Sequence, residues 1–184
     1  TLEEFAKKVI KEHGRVDYLI NNAPPKMCGI DECTYEDFEY ALKVGVTAPF
    51  YLAKLLIPYF NESASIVNIS SSRDRMSQPE TESYTAAKGG ISALTHALAV
   101  SLSGKVRVNS ISPGWIDTTS STFEGSDANQ HPVGRVGVPK DIAKEIGVEY
   151  ENSKFMVLNN HIEPNDNYVA SKQKEICFSS FPNQ

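Results

Sequence analysis

Apolar residues in the first two thirds of this chain follow two alternating patterns. After the capping-box pattern Thr1-x-x-Glu4, apolar side chains recur at helical spacing as far as Gly14, which predicts a first helix. The mostly apolar segment 16–20 then predicts a short buried strand. The alternation continues downstream: further helices are predicted to begin at Thr34, Pro49, Ser83 and Pro139, and further strands to cover 65–69 and 106–111.

Strands that alternate with helices indicate a parallel sheet with right-handed crossovers. Ligands of such sheets bind at the carboxyl ends of the strands. We therefore expect three strand ends to converge on one cleft. They are Asn21-Asn22-Ala23, Ser70-Ser71 and Pro113-Gly114.

The composition of the chain limits the classes of protein to which it can belong. The 184 residues are 40% apolar and 22% charged, which suits one packed domain. A net charge of −5 argues against nucleic acid as a partner, and no apolar run approaches the roughly 18–20 residues of a membrane span. We see no secretory leader, the four histidines share no metal-ligand spacing, and the three cysteines are expected to be reduced thiols, so a cytoplasmic, metal-free protein is predicted.

The candidate chemistry lies at the start of the fourth predicted helix. Tyr84 and Lys88 are four residues apart and so share a helix face. A phenol has an ordinary pKa of about 10, and a cation within roughly 4–6 Å lowers it. Such a pair can act as the general acid or base of an alcohol–carbonyl interconversion.

Spacing alone does not select this pair, because the chain contains Tyr-x-x-x-Lys three times, also at Tyr150/Lys154 and Tyr168/Lys172. Sequence context does select it. Ser71 stands thirteen residues before Tyr84, just past a strand end, where its hydroxyl can hydrogen-bond a substrate oxygen. Small residues also open the Tyr84 helix and would let another backbone approach closely.

Five ordered segments give the chain a family resemblance over roughly residues 1–143. They are Asn21-Asn22-Ala23, Asn68-Ile69-Ser70-Ser71, Tyr84-Thr85-Ala86-Ala87-Lys88, 108–114 (Val-Asn-Ser-Ile-Ser-Pro-Gly) and 134–139 (Gly-Arg-Val-Gly-Val-Pro). In order and spacing they resemble the short-chain dehydrogenase/reductase family.

The resemblance implies a Rossmann-like, doubly wound α/β fold and hydride transfer between NAD or NADP and a small-molecule alcohol or carbonyl. It implies that Tyr84 is the general acid/base, that Lys88 tunes Tyr84 and holds the nicotinamide ribose, and that Ser71 orients the substrate oxygen. A homo-oligomer, dimer or tetramer, is also implied. Besides Tyr84 and Lys88, the implied cofactor contacts are Asn21, Ala23, Pro113, Gly114, Ile116 and Thr118.

The chain departs from the family pattern at four places. No Gly-rich phosphate loop occurs in the sequence, so the first three strands of the family are expected to be missing. Gly45 stands where the family has an Asn that links the lysine to solvent through a water, and Pro24 stands where Gly is usual. After Gly147 the family's final strand is not recognisable, so we divide the chain into a partial Rossmann-like domain over 1–147 and an atypical tail over 148–184.

These departures leave two hypotheses open. The chain is an NAD(P)-dependent oxidoreductase or the catalytic portion of one. Alternatively it is a noncatalytic or degenerate remnant that acts as a binding or structural subunit. Strand 16–20 is expected to form an exposed apolar edge, because its usual neighbour is missing. Replacing Gly45 by Asn is expected to restore the proton relay and raise turnover.

Overall fold

The computed structural model describes residues 1–119 and 121–146, together with the backbone of 155–158. Its centre is a four-stranded sheet in which every strand pairing is parallel, as the alternating pattern predicted. The strands are β1 (Val16–Asn21), β2 (Phe60–Ile69), β3 (Arg107–Ile111) and β4 (Phe155–Leu158), in the spatial order β3-β2-β1-β4.

Five helices begin close to where the sequence predicts them. They are α1 (Leu2–His13), α2 (Tyr35–Leu42), α3 (Ala48–Leu56), α4 (Glu82–Ser101) and α6 (Pro139–Ile146). The short helix α5 (Ser126–Asn129) was not predicted from the sequence. Local hydrogen bonds explain the two most clearly predicted starts. The Thr1 hydroxyl accepts from the amide of Glu4 in a complete capping box, and the Thr34 hydroxyl accepts from the amide of Asp37.

The core lies where one row of strand side chains meets the helices. Leu19, Ile66 and Val108 are in register on adjacent strands, and all three are buried. Helices α1, α3 and α4 supply the opposing side chains of the same cluster, among them Ala6, Leu52, Leu56 and Leu98. Burying this apolar surface is the main force that holds the helices on the sheet.

The expectation that β1 forms an exposed edge is wrong. Residues Tyr18–Asn21 pair in parallel with Phe155–Leu158, so β1 has a hydrogen-bonded neighbour on each side. The sequence did not reveal this neighbour, because pairing between segments so far apart in the chain leaves no local pattern. Apart from this strand, the tail 148–184 lies outside the described residues, so the proposed domain division stays a prediction.

The segment between α2 and α3 passes very close to α4. It forms one π-helical stretch, Lys43–Thr47, whose Gly45 is buried. A Cβ atom on Gly45 would lie 2.8 Å from the Cβ of Ala87, and one on Gly90 would lie 2.7 Å from a methyl group of Val46. The small residues of α4 therefore do permit a close backbone approach, as the sequence indicated.

We expect Gly45→Asn to lower the free energy of unfolding by about 1–3 kcal/mol, because the new side chain overpacks this contact. The sequence did not reveal this steric conflict. The higher turnover expected for Gly45→Asn stays a prediction. Chemical denaturation of Gly45→Asn and Gly45→Ala would measure the loss. The control is Gly89→Ala on α4, where a Cβ meets no atom within 4 Å, and it should not destabilise the protein. Equal stabilities for the Gly45 and Gly89 variants would contradict the prediction.

The structure departs from sequence expectation at the cysteines. Cys28 and Cys33 form a disulfide, with their Cα atoms 5.2 Å apart, whereas reduced thiols were expected. The loop over 22–34 brings the two sulfur atoms together, and spacing alone does not show this.

The continuous helical run Tyr35–Tyr59 contains a window of mean hydropathy 1.3 and is long and apolar enough to cross a membrane by length and composition alone. No such run was expected from the sequence. The finding is weak evidence for a membrane, because a core helix of a soluble protein passes the same test. Leu52, Ala53 and Leu56 within this run belong to the buried core.

Candidate active site

The carboxyl ends of β1, β2 and β3 lie at one edge of the sheet, as their parallel pairing requires. The ends of β2 and β3 stay hydrogen-bonded beyond the strands. The amide of Ser70 donates to the carbonyl of Ile111 at 2.7 Å, and the amide of Ser72 donates to the carbonyl of Pro113 at 2.8 Å. The segments containing Ser71 and Pro113 are therefore held side by side.

Lys88 is buried, with 4% of its surface exposed, and its amine points inward. Its Nζ donates to the carbonyl oxygen of Ile69 at 2.6 Å and lies 5.4 Å from the centre of the Tyr84 ring. Burial lowers the pKa of Lys88 from 10.5 to about 8, because a charged amine loses hydration there. The carbonyl at the end of β2 thus fixes the amine beside the phenol ring.

Tyr84 and Ser71 are positioned by the backbone around them. Tyr84 is half-buried in the first turn of α4. The neighbouring Ser83 hydroxyl donates to the carbonyl of Lys26 and accepts from the amide of Cys28, both at 2.9 Å, which anchors this turn. Ser71 is buried after β2, and its Oγ accepts from the amide of Arg73 at 3.2 Å.

A cleft of about 300 Å³ opens at the end of β1, against α4 and the π-helical segment. Of the predicted catalytic and cofactor-binding residues, three line it, namely Asn21, Ala23 and Lys88, and Gly45 lines it as well. The other candidates do not line this cleft; they are Ser71, Tyr84, Pro113, Gly114, Ile116 and Thr118. Their site roles stay predictions.

The loop that carries the last four of these candidates is braced by a short bridge to the segment before α6. Ile116 pairs with Gly137, whose amide donates to the carbonyl of Trp115 at 3.1 Å. Trp115 packs edge-on against Phe123, with ring centres 4.7 Å apart, and is 42% exposed.

Sequence reasoning missed the carbonyl of Ile69, which holds the Lys88 amine. Every residue has a backbone carbonyl, so no sequence signal could mark this one. It also gave no role to the buried side chains of Asn68 and Thr95, which are hydrogen-bonded to each other. In the described part of the chain, no group of three or more His, Cys, Asp or Glu side chains could hold a metal ion.

The buried amine predicts a pH dependence of stability. Between about pH 8 and pH 10.5, Lys88 is largely deprotonated in the folded chain but protonated in the unfolded chain. The unfolded chain binds more protons in this window, so the free energy of unfolding should increase as pH rises through it. The full change is on the order of 3 kcal/mol.

Urea unfolding of the wild type and of Lys88→Met at several pH values would check this. Lys88→Met should lack the rise that the wild type shows, whereas Lys54→Met, which alters an exposed lysine of α3, should retain it. The same pH dependence in all three proteins would disprove the assignment to Lys88.

Comparison with known proteins places this geometry in a family. A family model described as enoyl-(acyl carrier protein) reductase matches residues 1–148. An uncharacterized oxidoreductase of Thermotoga maritima is 40% identical over 158 residues, which cover 78% of this chain and 61% of that protein. The chain spans 59–63% of the length of the first three curated relatives.

Solved structures agree with this match. An apo SCOR enzyme from Clostridium thermocellum has a TM-score of 0.73 and 36% identity, and the match covers 91% of this chain and 74% of that one. The angucycline C-6 ketoreductase LanV, solved with bound NADP, has a TM-score of 0.68 and 26% identity, with coverage of 79% and 60%. The incomplete Rossmann-like fold is thereby confirmed, and the chain belongs to the short-chain dehydrogenase/reductase family.

Proposed function

We propose that this chain is the catalytic portion of an NAD(P)-dependent oxidoreductase that interconverts an alcohol and a carbonyl on a small molecule. The observation that carries the proposal is the Lys88 amine, buried at the end of β2 and held 5.4 Å from the Tyr84 ring centre. Burying an amine costs free energy, so its position beside a phenol favours a chemical use. The cytoplasmic location and the homo-oligomeric state expected from the sequence belong to the same proposal.

In the proposed reaction, Tyr84 donates a proton to the substrate oxygen when a carbonyl is reduced and takes one back when an alcohol is oxidised. The protonated Lys88 stabilises negative charge on the phenol oxygen. Ser71 accepts a backbone bond, so its own hydroxyl proton can be donated to the substrate oxygen. When bound, the nicotinamide group supplies or accepts the hydride.

The residues around the cleft fit a nicotinamide nucleotide. The cleft is concave and partly apolar and has the buried amine of Lys88 in its wall. The side-chain oxygen of Asn21, also in its wall, is buried and has no hydrogen-bond partner in the described part of the chain. A ligand rich in hydroxyl and amide groups would supply that partner. The residues proposed to hold it are Asn21, Ala23, Tyr84, Lys88, Pro113, Gly114, Ile116 and Thr118.

The noncatalytic alternative is favoured by one feature of the sequence, since Gly45 stands where the family has a relay Asn. A chain with this substitution could retain the fold and act as a binding or structural subunit.

Cofactor titration separates the two functions. Trp115, the one tryptophan of the chain, stands next to Gly114 and is partly exposed, so NADPH or NADH bound there should quench its fluorescence at micromolar concentration. Trp115→Phe should abolish the signal, which controls for optical artefacts. No binding up to millimolar cofactor would contradict the enzymatic proposal and support the noncatalytic one.

A further inference from the structure

Asn21, the last residue of β1, carries a side-chain acceptor that is left unpaired. The residue is buried, with 6% of its surface exposed, and its Oδ1 has no partner among the described residues. A buried acceptor without a partner loses its hydration and gains no bond in return, so native proteins rarely keep one without a use. Asn21 also lines the cleft at the end of β1.

A chain of hydrogen bonds determines which end of the Asn21 amide remains unpaired. The Thr95 hydroxyl on α4 donates to the carbonyl of Ile91 at 2.7 Å. A hydroxyl has one proton, so toward Asn68 the Thr95 oxygen can only accept. Asn68 accordingly donates through Nδ2 to Thr95 Oγ1 at 2.8 Å, and its oxygen accepts from Asn21 Nδ2 at 2.7 Å.

The geometry of the sheet makes this chain rigid. Asn21 and Asn68 are in register on β1 and β2, two residues beyond the buried pair Leu19 and Ile66, and so they lie on the same helix-covered face. Asn68 is fully buried and Thr95 is 7% exposed, so water does not compete strongly for these bonds. Because one N–H of the Asn21 amide is donated to Asn68, the amide orientation is set and its oxygen is presented as an acceptor to an occupant of the cleft.

We propose that Thr95 is a positioning residue, which acts through Asn68 to present the Asn21 oxygen as a fixed acceptor for a hydroxyl or amide N–H donor of the bound nucleotide. This inference rests on the proposed function, since it assumes that the cleft binds a nicotinamide cofactor. Thr95 itself need not touch the ligand. Removing its hydroxyl leaves Asn68 Nδ2 without an acceptor and frees both amides to rotate.

The test uses the full chain, ¹⁵N-labelled, as wild type, Thr95→Ser and Thr95→Val. Serine keeps the hydroxyl, and valine keeps the shape without it. In the ligand-free protein, the side-chain amide signals of Asn21 and Asn68 should match between wild type and Thr95→Ser, and both should shift and exchange faster in Thr95→Val. NADPH, titrated by Trp115 fluorescence, should bind about tenfold more weakly to Thr95→Val and within twofold of wild type to Thr95→Ser.

The outcomes separate this inference from the proposed function. Wild-type affinity for NADPH in Thr95→Val, or unchanged amide signals of Asn21, would overturn the inference and leave the proposed function standing. Failure of the wild type itself to bind NADPH would overturn the proposed function and, with it, the ligand role of Asn21. If Thr95→Val does not fold, Asn21→Ala replaces it in the binding measurement, and unchanged NADPH affinity in that variant would equally overturn the inference.

Discussion

Tyr84→Phe is expected to lower turnover by about 10²–10⁴-fold, the usual contribution of a general acid or base. Phenylalanine keeps the ring that faces the Lys88 amine, 5.4 Å from its centre, and removes only the hydroxyl that would transfer the proton. The measurement is NADPH oxidation with a panel of small ketones and aldehydes. Because the ring is retained, the melting temperature should stay close to that of the wild type.

The chain supplies a matched control for this experiment. Tyr168 has a lysine four residues later, as Tyr84 does, but Phe155 and not a serine stands thirteen residues before it. Tyr168→Phe should retain wild-type turnover. If Tyr84→Phe also kept turnover within about threefold of the wild type, the assignment of Tyr84 as acid and base would be wrong.

Ile66→Ala should have the largest effect on stability, a loss of about 2–5 kcal/mol in the free energy of unfolding. Ile66 is fully buried on a central strand, with Leu19 and Val108 in register on the strands beside it. Truncation removes apolar burial and leaves a cavity that a sheet paired on both sides closes poorly.

The same substitution at an exposed position controls for the change of residue type. Ile30 is 76% exposed, so Ile30→Ala should change the free energy of unfolding by less than about 0.5 kcal/mol. Chemical denaturation would provide both free energies of unfolding, with one slope against denaturant concentration used for all the proteins. Similar losses at the two positions would contradict the assignment of Ile66 to the core.

The sequence by itself determined the elements whose causes are local. Short segments rich in β-branched and apolar residues marked β1, β2 and β3. The hydroxyls of Thr1 and Thr34 marked the starts of α1 and α2, because a cap bonds within three residues of itself. The pair Tyr84 and Lys88 could be found in the same way, since four residues on a helix bring two side chains to one face. The five motifs then identified the family and its incomplete sheet.

The tertiary structure alone decided what distant segments do to one another. Strand β4 covers the edge of β1, although more than 130 residues separate the paired positions Tyr18 and Phe155. Ile69 supplies a carbonyl to Lys88, and Thr95 fixes the amides of two strands from a helix. Each of these contacts forms only when distant segments pack together. The groups involved are backbone groups and common polar side chains, so their roles follow from their burial and their neighbours and not from the residue type.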